Sequence, residues 1–274
     1  MNVLNRNINN IFFIFALSHL IIWVFIPSLT NKNLPLDVIE ALAWGSNLDW
    51  GFNKHPPGSA FFPEIFFQVF GSQDWAYYLL SQIFVLISFY YVFKFAYEIL
   101  RNIKLSLISV LLLESIFFYN FTSPEFNVNV CQLPFWSLVV YYSWKIYQSK
   151  EIKFLDCFLI GLFAAIGFLS KYLFIYLLIS IILLFIYLIF VKKIKKFDFK
   201  YLITLEVFLV LLVPHFIWLY NNDFITITYG LKRAGLEELR LLDHLKYPIS
   251  FLFKQIGILT CLLYTSDAAD EEDS

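Results

Sequence analysis

Asp37 and Glu40 lie three residues apart just after an apolar run, so a helix through them puts both carboxylates on one face. A carboxylate there can take the proton of an attacking hydroxyl; it can equally cap a short interfacial helix. Lys54-His55-Pro56-Pro57 follows in the same inter-run segment. Its prolines fix the backbone and push the preceding residue to an extended shape. That shape would hold Lys54 and His55 toward a phosphate, or simply build a rigid turn. Ser123-Pro124-Glu125-Phe126-Asn127 is a short polar insertion between two later runs. It reads as a helix start with Pro first and the acid at the positive end of the dipole, or as a second carboxylate meeting Asp37, with Asn127 lining the same site. Lys171 stands between Leu169-Ser170 and Tyr172-Leu173 with no loop around it. An ammonium so close to hydrocarbon either snorkels to headgroups or faces a lipid-linked phosphate. His215, after Pro214, lies within an apolar run and is either hydrogen-bonded packing or site lining.

The elements that must position these groups are membrane helices. Hydrophobic residues make up 60% of the 274, charged residues only 15% and aromatics 21%, and mean hydropathy is +0.70. A soluble domain carries roughly a quarter charged residues, so that class is excluded. Net charge is −1 and names no partner. Apolar runs span 11–27, 75–93, 105–121, 133–148, 154–169, 172–191, 201–220 and 247–264. Hydrocarbon offers the backbone no water, so runs of this length are read as helices. The alternation of a membrane barrel is absent. The fold class is therefore all-α, a polytopic transmembrane helical protein with about eight crossings and one membrane domain over 1–264.

Orientation follows from Lys and Arg. With the N-terminus in the cytoplasm, Arg6, Lys94, Arg101, Lys104, Lys145, Lys150, Lys153 and the five lysines between Lys192 and Lys200 fall inside. Lys32, Lys54, Lys171, Lys232, Arg233, Arg240 and Lys246 fall outside. The polar segments around Asp37, Lys54, Glu125, Lys171 and His215 all fall on the outer side. The outer segments 28–74 and 221–246 are long; the first carries an amphipathic stretch from Asp37 to Leu48, and the second carries Glu237-Glu238. Cys131, Cys157 and Cys261 have no metal-like spacing and read as small buried hydrophobes. His19 carries no pattern, and Glu114, inside an apolar run, needs a partner or a proton. The acidic end after Leu263 reads as a disordered tail or as translated adapter sequence, so residues 265–274 are expected to be non-native and the chain to be the N-terminal part of a longer protein.

Four segments taken in order resemble glycosyltransferase family 39, the polyprenyl-phosphate-dependent enzymes related to protein O-mannosyltransferases and to the aminoarabinose transferase of lipid A. They are Asp37-Val38-Ile39-Glu40 through Trp44-Gly45, then Leu48 to Pro57, then Ser-Pro-Glu-Phe-Asn, and Gly167-Phe168-Leu169-Ser170-Lys171-Tyr172. The similarity runs over about residues 10–250. Where many relatives place Glu directly after the first acid, this chain has Val38, and Glu40 is the nearest acid. The resemblance implies a C-type glycosyltransferase fold with an extracytoplasmic site, in bacteria at the inner membrane. It implies a polyprenyl-phosphate-linked sugar as donor, membrane lipid around it, a glycan, lipid or protein acceptor, and no nucleic acid. Asp37 would be the catalytic acid that orients or deprotonates the acceptor, Glu125 the second-loop acid, and His55 and Lys171 contacts of the donor phosphate. No cofactor is implied, and a divalent metal is not indicated. The alternative is a membrane transporter or lipid-binding protein without catalysis.

Overall fold

In the computed structural model, the backbone is described for residues 3–233 and 242–271, and side chains for 10–233 and 242–257. Glu237, Glu238 and Arg240, together with the side chains of Arg6 and Cys261, lie outside the described residues. Among the described residues the regular structure is helical throughout. The helices are α1 (Val3–Thr30), α2 (Leu36–Gly45), α3 (Gly58–Phe70), α4 (Asp74–Leu100), α5 (Ile103–Glu114), α6 (Val128–Gln148), α7 (Phe154–Ser170), α8 (Ile175–Ile186), α9 (Tyr201–Asn221), α10 (Ile225–Arg233) and α11 (Asp243–Glu271). The chain forms two compact units, Met1–Thr226 and Ile227–Ser274.

Each expected apolar run falls in helical structure except 105–121, which is helical to Glu114 and then breaks. Among the described residues, four segments are long and apolar enough to cross a membrane: Asn10–Thr30, Asp74–Leu100, Tyr172–Val191 and Tyr201–Asn221. Only 22, 28, 11 and 17% of their most apolar windows are buried, which leaves the rest of each surface for lipid. The protein is thus an integral, polytopic membrane protein. α5, with 12 residues, rises about 18 Å, well short of a hydrocarbon core of about 30 Å. A 3₁₀ turn at Phe117–Tyr119 then extends its run.

Three boundaries depart from expectation, each for a local reason. Residues 28–74 hold two helices rather than one amphipathic stretch. α3 follows Pro56-Pro57 and contains Pro63, signals that read as breakers in sequence, yet Pro57 occupies the N-cap and Gly58, Ser59, Ala60, Pro63 and Glu64 are all buried. The helix after the second polar insertion does not start at Pro124. It starts at Val128, because the Asn127 side chain accepts from the amides of Asn129 (2.9 Å) and Val130 (3.2 Å) and so caps it. The segment 221–246 carries α10.

The first unit has two chemically distinct ends. At one, Lys145 Nζ meets Asp156 at 2.8 Å, and Lys195 and Lys200 donate to carbonyls of Ser149 (2.6 Å) and Ile152 (2.8 Å) beyond the C-terminus of α6. At the other, Asp37 meets Glu125, Lys171 meets Asn129, and His215 meets Trp50. All five polar segments therefore share one end, opposite the lysine-rich loops. Between the ends lies an apolar core that includes Val85, Phe89, Val110, Phe126, Val139 and Phe174. α7 approaches α9 at Gly161, where a Cβ would come within 2.6 Å of Thr204 O; small residues permit such close helix contact in membranes.

Candidate active site

α2 sorts its residues by helical spacing. Val38, Ala41 and Gly45 are buried toward the bundle. Asp37, Glu40 and Trp44 line a cleft with His55, Ser59 and Asn127. Its volume is about 20 Å³, room for about one water-sized body. Val38 is wholly buried, which explains an apolar residue directly after the first acid: a carboxylate there would lose its water. Asp37 is not the cap of α2. That position belongs to Pro35, and no side chain caps the helix. Asp37 instead sits in the first turn, where the helix dipole favours its negative charge. Its backbone N–H donates to Glu125 Oε1 at 3.3 Å, so the second-loop acid holds the start of α2 and the Asp37 carboxylate keeps its place on the cleft.

Lys54 Nζ donates to Glu40 Oε1 and stands 6.0 Å from the centre of the Trp44 ring. Trp44 stacks on Phe52 (5.3 Å, 10° between planes) and meets the His55 ring edge-on at 6.0 Å. Lys171 is one extended residue between α7 and the 3₁₀ turn at Tyr172–Phe174. Its ammonium donates to Asn129 Oδ1, two residues past the capping Asn127. The structure thus gathers Asp37, Glu40, Glu125, Lys54, His55 and Asn127, with Lys171 joined through Asn129.

His215 lies apart from that cleft. It is wholly buried. The Trp50 carbonyl can only accept, so His215 Nδ1 donates to it; Nε2 then accepts from the Tyr172 hydroxyl at 2.7 Å. With both nitrogens engaged, His215 fastens the first polar segment to α9 and to the Lys171 turn. Thr226 adds a second fastening by donating to the Phe52 carbonyl.

Several members of this end had no sequence signal. Asn129 and Ser59 are isolated small polar residues, and Trp44 is one of seven tryptophans. His19 and Glu114, two unexplained polar residues in apolar runs, prove to be partners, with Nδ1 and Oε2 2.9 Å apart. The chain of protons is fixed from the far end. Ser123 Oγ donates to Asn120 O (2.9 Å) and therefore accepts from Gln82 Nε2 (3.2 Å); Gln82 Oε1 (2.8 Å) then requires a proton on His19 Nε2. Ser81 donates to Pro124 O at 3.1 Å. This buried network holds the loop that carries Glu125. Among the described residues no three His, Cys, Asp or Glu side chains converge as a metal site.

The chain belongs to the dolichyl-phosphate-mannose-protein mannosyltransferase family, whose profile matches residues 54–218. It is a membrane glycosyltransferase of the mannosyltransferase type. The match begins at Lys54 and takes in His55, Glu125, Asn127, Lys171 and His215, whereas Asp37 and Glu40 precede it. No curated protein and no solved structure matches the chain.

Proposed function

We propose that this protein moves a sugar from a polyprenyl-phosphate carrier to an acceptor hydroxyl, at the end of the bundle that carries Asp37, on the extracytoplasmic side of a bacterial inner membrane. The observation that carries the reading is the cleft where a first-turn carboxylate, Asp37, stands beside Lys54 and His55 with Lys171 close behind Asn129.

In this reading the acceptor O–H gives its proton to the Asp37 carboxylate as its oxygen bonds to the anomeric carbon. The bond from that carbon to the phosphate oxygen breaks, its electron pair leaves with the polyprenyl phosphate, and configuration inverts. Lys54, His55 and Lys171 offset the charge that develops on the leaving phosphate. Glu40 orients Lys54, and Glu125 orients Asp37 through its amide. The step needs no nucleotide, and the residue spacing indicates no metal. A groove of about 510 Å³ between α4, α5 and α6 supports a lipid-borne donor. It runs along α6 from Asn129, the partner of Lys171, through Leu133 and Trp136 to Val140, about 16 Å of helix rise, and its lining is mainly apolar, which suits an isoprenoid chain.

One observation bears on the transporter alternative, which calls for paired ionisable groups inside the bundle: His19 Nδ1 and Glu114 Oε2 lie 2.9 Å apart. Their further contacts run to Gln82, Ser123 and the Glu125 loop, so they serve the same site.

The test is transfer of radiolabelled mannose from dolichyl-phosphate mannose and from undecaprenyl-phosphate mannose in membranes containing the protein. Asp37→Asn is expected to lower the rate by about 10²–10⁴-fold with protein level unchanged. Equal transfer by wild type and variant removes Asp37 as the base.

A further inference from the structure

The Ser59 hydroxyl is an unspent group in the cleft. Ser59 is only 3% exposed, and its Oγ has no hydrogen-bond partner among the described residues. A buried hydroxyl without a partner is unfavourable, and replacing it by hydrogen would relieve that. The hydroxyl lies on the wall of the cleft, whose volume of about 20 Å³ admits a body the size of one oxygen.

Ser59 is also in the first turn of α3, a helix of 13 residues whose N-terminus no side chain caps. The first amides bonded within the helix are those of Ala60 and Phe61, both to Pro57 O. The amides ahead of them have no intrahelical acceptor, and the dipole makes this end positive. Gly58 lets that end come close to the end of α7: a Cβ there would lie 2.8 Å from Leu169 O and 3.1 Å from Ser170 Cα, which brings the helix start beside the Lys171 turn. Lys54 and His55 lie just ahead of it in sequence. The carboxylates of the cleft, Asp37 and Glu40, belong to α2, and Glu40 already holds Lys54.

We propose that the N-terminus of α3 and Ser59 Oγ form an anion-binding pocket that takes one oxygen of a phosphate group. The pocket rests on the transferase reading for its ligand's identity, a lipid-borne phosphate, but not for its existence. Ser59 is then a donor-binding residue: its hydroxyl donates to the phosphate oxygen, beside the helix dipole, while the ammonium groups hold the remaining oxygens.

The experiment is thermal denaturation of the purified protein in detergent, wild type against Ser59→Ala, with dolichyl phosphate, dolichol or inorganic phosphate added. Ser59→Ala is expected to melt at or above the wild-type temperature without ligand, since it loses only an unpartnered hydroxyl. Its affinity for dolichyl phosphate should fall about ten-fold, with Ser59→Thr recovering part of it and dolichol giving no difference between the proteins. In the transfer assay the donor KM should rise by the same factor with kcat less affected. Equal stabilisation of wild type and Ser59→Ala by dolichyl phosphate overturns the pocket and leaves the transferase reading standing. A Ser59-dependent response to either phosphate compound without any mannose transfer keeps the pocket and removes polyprenyl-phosphate mannose as the donor. No response of the wild type to either phosphate compound overturns the pocket.

Discussion

Single residues at the polar end act through their partners. Asp37 keeps its carboxylate on the cleft because its amide, not its side chain, meets Glu125. His19 shows the same dependence at depth: its ring is buried and joins Glu114 to Gln82. Removing one partner of such a pair leaves the other uncompensated. His19→Ala is therefore expected to destabilise the protein by about 3 kcal/mol, measured by thermal unfolding in detergent, and to weaken amide-exchange protection over residues 117–127 more than over α7. Replacing both His19 and Glu114 by leucine should recover most of the stability. The sequence marked Glu114 as an acid in need of a partner or a proton but found no pattern at His19, since partnership across helices has no local signature. The acids and cations stood out by type and by proline context. Ser59 and Asn129 did not, because their roles come from a cleft wall and from a distant ammonium.

Helices decide how far those residues can be trusted to stay in place. Apolar runs gave away the long helices directly, since hydrocarbon permits little else. α3 was hidden by its prolines, and the start of α6 by an asparagine cap whose effect is local but common to many loops. Lys171 ends α7, so its position depends on how α7 packs against α9. That packing is closest at Gly161. Gly161→Ala puts a methyl within 2.6 Å of Thr204 O and should cost about 1–3 kcal/mol by forcing the helices apart. The check is a lower melting temperature, together with a larger loss of transfer than the mild substitution would otherwise cause.

For the molecule as a whole, the separation of the acid-bearing end from the lysine-rich end sets a direction across the membrane. Lysine-rich short loops favour the cytoplasm. Single cysteines at exposed Asn53 and Lys150 test this in a variant lacking native cysteines. A membrane-impermeant thiol reagent added to intact cells is expected to label position 53 and to spare position 150 until the membrane is opened. The reverse pattern would put the cleft in the cytoplasm. That the polar segments share one end was readable from residue order alone, because alternate crossings return the chain to the same side. How the segments interlock at that end was not, since the fastening contacts join residues far apart in the chain.

One such fastening bears on how the protein is made. Trp50 is held by His215, 165 residues later. At a synthesis rate of about 5–20 residues per second, the first polar segment waits on the order of ten to thirty seconds after leaving the ribosome before its clasp arrives. Until then nothing from α9 fastens the Trp50 carbonyl, so the tie between the first polar segment and α9 closes only after most of the chain has been made.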